Sequence, residues 1–393
     1  MKILILGGVE KSLFDLLKFL SKTNRFDIEL FLFENEGVYI EEARKMKIKI
    51  NSFDKKTQTY MKPYRQNIKG MLKKFEIIKL IQYLLYIMIC IFDVKYYKYS
   101  IGNKIRFRLI DNSAIKLTGY DISIAYSGRH LLYFNNKNVQ SDIKYTYIHG
   151  DVCELNFAID ELKEEYYKED KIICVSNKCK ESFVKKIPEL NNKCIVINNL
   201  IDFDNIDKLK LDNVDKIDHR NFNIVSVGRL SKEKNYMNLL KALKKVVNEV
   251  NITIKVYIVG DGPERKKLDK YIRKNSLENV VYLEGYQINP YKYIKYANLY
   301  IQPSISEGFC LTIYEAYYLK KIILTNNVAD VKSLITNYYD GFITETDNNV
   351  DFEKKISEIL NMKREKLCSM ENNIKSINNN HTEKMIIKIY GGE

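Results

Sequence analysis

The sequence predicts an α/β protein made of two doubly wound, Rossmann-like domains facing a central cleft. Three observations carry this. Short β-branched runs alternate with helical stretches almost throughout, the mark of parallel sheets covered by helices. The alternation stops in a polar, Asp- and Lys-rich stretch over residues 203–220 and then restarts. At 393 residues the chain is long for one core, which makes two domains of ordinary size the natural expectation.

Residues 3–6 read as the first strand, followed by a helix with Leu13, Leu16, Leu17 and Leu20 on one face. Residues 28–33 form the second strand. A helix around 75–92 follows an irregular basic stretch, and strands recur at 121–125, 143–148, 172–175 and 194–197. In the second half, 223–227 is a strand, and Leu240, Leu243 and Val247 mark the next helix. Strands continue at 252–259, 280–283, 299–302 and 322–325, and the last 40 or so residues read as helical. The expected division is a first domain at 1–205, a linker at 206–220, a second domain at 221–375, and a C-terminal helix at 376–393 packing back on the first domain.

Composition narrows the class. A hydrophobic share of 46% beside 29% charged residues is that of a folded protein without a long disordered tail. The formal charge of +14 favours an anionic partner: a phosphorylated ligand, an anionic membrane surface or nucleic acid. No zinc-finger spacing or RNP-like aromatic motif is present, so no nucleic-acid partner is expected. Seven scattered cysteines without CxxC pairs point to a reducing compartment, and the apolar run after Met1-Lys2 is too short for a signal peptide; the expected location is the cytoplasm. Residues 80–92 are strongly apolar but fall short of the roughly 20 residues a spanning helix needs. Lys79, Gln82, Tyr83 and Tyr86 give that helix a semi-polar side.

Chemistry gathers at strand ends, where ligands of such sheets bind. Glu307 and Glu315 bracket SEGFCLTIYEA: a loop with Glu307-Gly308-Phe309 runs into a helix beginning near Leu311, whose free N–H groups make an anion site. Arg229 and Lys234, between a strand and a helix, can neutralise a diphosphate, each charge-assisted hydrogen bond contributing about 1.5–3 kcal/mol. Gly7-Gly8 permits close backbone approach after the first strand, although neither GxGxxG nor GxxxxGK[ST] occurs. His149 ends the strand at 143–148. Gly260-Asp261-Gly262-Pro263-Glu264 reads as a turn into a helix capped by its early acidic groups. Glu284-Gly285-Tyr286-Gln287 offers backbone groups to a base, and Tyr291, Tyr293, Tyr296 and Tyr300 read as packing. Carboxylates for hydroxyls and amides for phosphate together point to a nucleotide-sugar.

These segments together resemble the family-4 retaining glycosyltransferases, which have the two-domain GT-B fold. The resemblance runs over most of the chain. It rests on residues 7–13, 147–151, 175–176 and 197–202, Val227-Gly228-Arg229-Leu230 with Lys234, residues 260–263, and Pro303-Ser304 through Glu315-Ala316. It implies that Arg229 and Lys234 hold the donor diphosphate with the backbone of Phe309, Cys310, Leu311 and Thr312, that Glu315 takes the ribose, and that Glu307 lies by the transferred sugar. Gly8 and His149 would close the donor site from the acceptor-side domain. The family transfers with retention and usually without a metal, and no cofactor beyond the co-substrate, expected to be UDP-linked, is implied. The expected reaction moves a hexose or N-acetylhexosamine to a glycan or lipid-linked acceptor in cell-surface polysaccharide synthesis. A same-fold sugar-nucleotide epimerase, a processive lipid glycosyltransferase and a catalytically silent partner subunit are the alternatives. The chain departs from the family in a shortened loop before Gly7-Gly8 and in Lys320 and Ile322, which stand where Gly and Pro are usual. Lys69, Lys73, Lys74, Lys95, Lys98, Lys104, Arg106 and Arg108 flank the apolar helix and suggest contact with the inner membrane leaflet.

Overall fold

Thirteen strands in two sheets organise the described residues, and every pairing between these strands is parallel. The computed structural model describes all residues except 7–10, 33–38, 47, 54–67, 69–70, 73–76, 93–100, 128, 154–158, 215–216, 248, 251, 346–348 and 392–393. The chain divides into two units, the first made of Met1–Val175, Cys179–Leu200 and Thr382–Glu393, the second of Ser176–Lys178 and Ile201–His381.

The first unit contains β1 (Lys2–Leu6), β2 (Asp27–Leu32), β3 (Lys49–Ser52), β4 (Leu117–Ala125), β5 (Val139–Ile148), β6 (Lys171–Cys174) and β7 (Cys194–Val196), ordered β3-β2-β1-β4-β5-β6-β7. The second contains β8 (Phe222–Val227), β9 (Ile254–Val259), β10 (Val281–Gly285), β11 (Leu299–Gln302), β12 (Ile323–Asn326) and β13 (Phe342–Thr344), ordered β10-β9-β8-β11-β12-β13. In each sheet the order reverses once, between β1 and β4 and between β8 and β11. Ligands of doubly wound sheets bind at such switch points.

Burial on both faces explains the unbroken apolar strands. In the second unit Ile224, Val256, Ile258, Leu299, Ile301 and Leu324 meet Leu239, Leu240, Leu243 and Val246 of the helix Tyr236–Val246. Those helix residues recur at the spacing of a single buried face.

Two strands, β3 and β13, carry no clear pattern in the sequence. The polar stretch is also not all linker: Phe203–Leu209 is a helix of the second unit, its N-terminus capped by Asp202, which accepts from the Asn205 amide at 3.3 Å. Ile206 is its buried anchor, and Ile217 beyond it is buried too. The helix Asn380–Gly391 contributes Thr382, Ile386 and Tyr390 to the first unit. The Tyr390 hydroxyl lies 2.6 Å from that of Tyr147, and the Tyr145 hydroxyl donates to the Ile389 carbonyl at 3.1 Å.

No helix among the described residues is long and apolar enough to cross a membrane. Gly7-Gly8, together with Lys69, Lys73, Lys74, Lys95 and Lys98, lies outside the described residues.

Candidate functional site

β8 and β11 are neighbours at the switch point of the second sheet, and their carboxyl ends lead into the two loops with the predicted charges. Val227 passes into Gly228-Arg229, and Gln302 into the loop that reaches Glu307.

The loop after β8 is braced from beside it by the loop after β9. Leu230 donates its N–H to the Asp261 carbonyl at 3.0 Å, and Glu264 returns a bond to the Leu230 carbonyl at 2.9 Å. This approach requires glycine. A Cβ on Gly260, whose φ is +145°, would lie 2.0 Å from the Gly228 oxygen, and one on Gly262 would lie 2.5 Å from that of Leu230. The glycine turn therefore serves the Arg229 loop. The capping expected of its acidic residue is not observed: Glu264 makes no side-chain cap and instead accepts from Lys267 at 3.1 Å. A third backbone bond, from Ile305 N–H to the Glu233 carbonyl at 2.9 Å, ties the β11 loop to the β8 loop.

Across this brace, Lys234 Nζ meets Glu307 Oε1 at 2.5 Å, with both side chains largely buried. The same oxygen accepts from Ser304 Oγ at 2.6 Å and from Gln302 Nε2 at 3.2 Å. Gln302 is itself fixed, its Oε1 accepting from the Tyr300 hydroxyl at 3.0 Å and from Thr312 Oγ1 at 3.3 Å. Glu307 Oε2 accepts no hydrogen bond among the described residues. Burial alone would push the Lys234 amine down, but the charge and hydrogen bond of Glu307 outweigh it and hold the amine above its usual range. Arg229 is exposed, and its guanidinium makes no hydrogen bond or ion pair with the described residues.

The helix predicted to start near Leu311 is Leu311–Tyr318. Cys310 precedes it at φ +60°, and no side chain caps its first amides. Left-handed backbone at a buried non-glycine residue costs about 1–2 kcal/mol, and here it turns the loop into the helix. Phe309 is buried and stacked on Tyr314 at 4.2 Å, so it and Cys310 present mainly backbone. Leu311 and Thr312 are half-buried. Glu315 is 1% exposed and accepts from the Tyr291 hydroxyl at 3.1 Å, so it sits inside the site's wall.

The structure thus brings together Lys234, Glu307, Thr312 and the start of the Leu311–Tyr318 helix. Tyr286 and Gln287 follow β10 at the sheet edge; Tyr286 is exposed and Gln287 Nε2 donates to the Glu284 carbonyl at 3.1 Å. His149 belongs to the first unit, directly after β5. Its ring packs on Tyr126 and Tyr147 and hydrogen-bonds to the Tyr126 backbone, with Nε2 buried and unpartnered among the described residues. Burial lowers its pKa to about 4, so the imidazole is neutral.

Gln302, Tyr300 and Tyr291 position the two glutamates, a role that sequence reasoning missed. The available signal was a glutamine closing an apolar strand just before Pro303-Ser304. Among the described residues, no cluster of three or more His, Cys, Asp or Glu could hold a metal.

Comparison with known proteins agrees with this architecture. Residues 207–377, less than half of the chain, match the family described as Glycosyl transferases group 1. The two-unit chain has the GT-B fold: Anabaena HepE in complex with UDP-glucose superposes with a TM-score of 0.71 at 16% identity, over 100% of both chains. An uncharacterised glycosyltransferase of Methanocaldococcus jannaschii is 30% identical over 168 residues, 41% of each chain. The N-acetylgalactosamine-N,N'-diacetylbacillosaminyl-diphospho-undecaprenol 4-alpha-N-acetylgalactosaminyltransferase of Campylobacter jejuni is 29% identical over 184 residues, 47% of this chain and 48% of that protein. The chain thus spans about half the length of the curated relatives it matches.

Proposed function

We propose that the protein is a retaining glycosyltransferase that moves a hexose or N-acetylhexosamine from a nucleotide-diphosphate sugar, UDP-linked by preference, to a glycan or lipid-linked acceptor. In this role it serves cell-surface polysaccharide synthesis. The observation that carries it is the Lys234–Glu307 pair at the β8/β11 switch point, beside an uncommitted Arg229 and an uncapped helix start.

A diphosphate fits these groups. Arg229 supplies a planar fork, the Leu311–Tyr318 helix supplies amides, and Lys234 supplies a buried charge that stays protonated. Glu307 holds Lys234 through one oxygen and keeps the other for hydroxyls of the transferred sugar. Glu315, oriented by Tyr291, accepts from the ribose, while Tyr286 and Gln287 lie on the side of the base. For His149 and Gly8, the proposed role toward the donor rests on the family resemblance alone. Retention follows if the departing diphosphate takes the acceptor's proton on the face it leaves, so that the glycosidic bond to phosphate breaks as the bond to the acceptor oxygen forms. That route asks for no metal. The UDP-glucose bound by HepE and the diphospho-undecaprenol in the Campylobacter enzyme's name support the donor and acceptor classes.

Incubation with a panel of UDP-, GDP- and dTDP-sugars, followed by mass spectrometry, tests the reading. Cleavage of one donor class, faster with acceptor, is expected. No cleavage of any donor, despite nucleotide binding, would leave a silent subunit instead.

A further inference from the structure

The helix Ile77–Phe92 is built the wrong way round for a surface helix. Among its described side chains Tyr83 is the fully buried one, with Leu80 and Ile87 half-buried beside it, and the half-buried Tyr86 donates to the Ile105 carbonyl at 3.2 Å. The open arc is mostly apolar, with the exposed Lys79 and Gln82 along one flank: Ile78, Ile81, Leu84, Leu85, Met88 and Ile89 are 75, 53, 44, 51, 51 and 53% exposed. At 100° per residue these six positions form a stripe roughly 140° wide. A soluble surface helix turns such a stripe inward, and an apolar surface of this extent marks an interaction site.

We propose that this stripe inserts into the interface of an anionic lipid leaflet, with the helix lying flat as a monotopic anchor. Charge selects the occupant. Residues 69–108 hold nine Lys or Arg against Glu76 and Asp93, a net +7 that is half of the chain's formal +14. A second copy of this net-positive segment would carry like charge, whereas an anionic leaflet carries the opposite one. The helix itself contains no Asp or Glu. At 16 residues it is about 24 Å long, short of the roughly 30 Å hydrocarbon core, and its Tyr83 side is held by the protein. Such a helix lies in the interface with its apolar face buried roughly 5–10 Å deep. This deepens the transferase reading by giving a lipid-linked acceptor a surface on which to be met, yet it stands on separate residues.

The chain has no tryptophan, so Leu85→Trp introduces a lone reporter at an exposed position. With phosphatidylcholine vesicles containing phosphatidylglycerol, its emission is expected to shift blue and to be quenched by lipids brominated on their acyl chains. Ile81→Glu and Leu85→Glu are each expected to lower vesicle co-sedimentation about tenfold. Added salt should weaken binding, and pure phosphatidylcholine should bind less. Donor cleavage in solution should be unchanged in the Glu variants, so failure of this proposal and failure of the transferase reading are separable. An unshifted, unquenched indole in the sedimented Leu85→Trp protein, or Glu variants that bind as the wild type does, would overturn the insertion. A dimer dissolved by the Glu variants, without vesicle binding, would assign the face to a second copy instead.

Discussion

Glu307 takes three donors on one oxygen, so its removal strips Lys234 of its counter-charge while leaving Arg229 and the helix amides as they were. Glu307→Ala is therefore expected to cut turnover at least a hundredfold while UDP affinity changes by less than about fivefold. Arg229 is exposed and its guanidinium has no partner among the described residues, so Arg229→Ala should weaken UDP about tenfold or more without moving the melting temperature. Calorimetric titration of UDP with each variant separates the roles, and equal losses in the two would refute them. His149 makes a prediction about pH. Its pKa is about 4 folded and 6.5 when exposed, so above pH 6.5 both states are neutral and the imidazole costs nothing. As pH falls from 6.5 towards 4 the unfolded chain takes the proton first, and stability declines by about 1.4 kcal/mol per unit. His149→Gln removes this slope. Urea unfolding of both proteins at several pH values should show the variant gaining on the wild type only below pH 6.5, and parallel profiles would mean that His149 titrates normally.

At the scale of elements, the helix Leu311–Tyr318 is bounded by two left-handed non-glycine residues, Cys310 at φ +60° and Lys320 at φ +58°. Lys320 occupies the position after the C-cap, where glycine relieves the clash between Cβ and backbone. It recovers part of the cost through Nζ, which donates to the Ile374 carbonyl at 2.6 Å. Lys320→Gly is expected to raise stability by about 0.5–1 kcal/mol, and Lys320→Val to lower it by more than about 1 kcal/mol, both read from urea midpoints. A loss in the glycine variant would show that the bond to Ile374 outweighs the strain. What the sequence made legible follows the same physics. Strands buried on both faces, such as β8 and β9, and the leucine face of Tyr236–Val246 stand out because burial demands a pattern. The pair Lys234 and Glu307 was readable as two charges, because each lies in a loop that follows an apolar strand and leads into a helix. Their direct contact was not, since it depends on the β8 loop being braced by Gly260 and Gly262 from another strand. β3 and β13 are too short for periodicity to show. Phe203–Leu209 hides because a seven-residue helix with Ile206 as its fully buried anchor and Asp202 as its cap looks like a polar linker.

At the scale of the molecule, the chain completes its first unit last. The stretch Thr382–Glu393 lies about 180 residues after that unit's preceding segment ends at Leu200, and it seats Tyr390, fully buried, among residues of β5. The join is a hydroxyl pair, Tyr147 to Tyr390 at 2.6 Å, beside the Tyr145 bond to the Ile389 carbonyl. Burial pushes both phenols of the pair well above their usual range, so each stays protonated at any pH the fold tolerates. A buried hydroxyl costs little when paired and about 1–3 kcal/mol when left alone. Tyr147→Phe and Tyr390→Phe should therefore each cost about 1–2 kcal/mol, because each strands its partner's hydroxyl. The double Phe variant strands nothing and should be no less stable than either single, a coupling that a merely additive packing contact cannot produce. Hydrogen exchange gives the location: the backbone amides of β4, β5 and β6 should lose protection in the singles and regain it in the double. Additive losses would mean that the tail is held by the burial of Ile386 and Tyr390 alone, with the hydroxyl pair contributing nothing to where the chain ends.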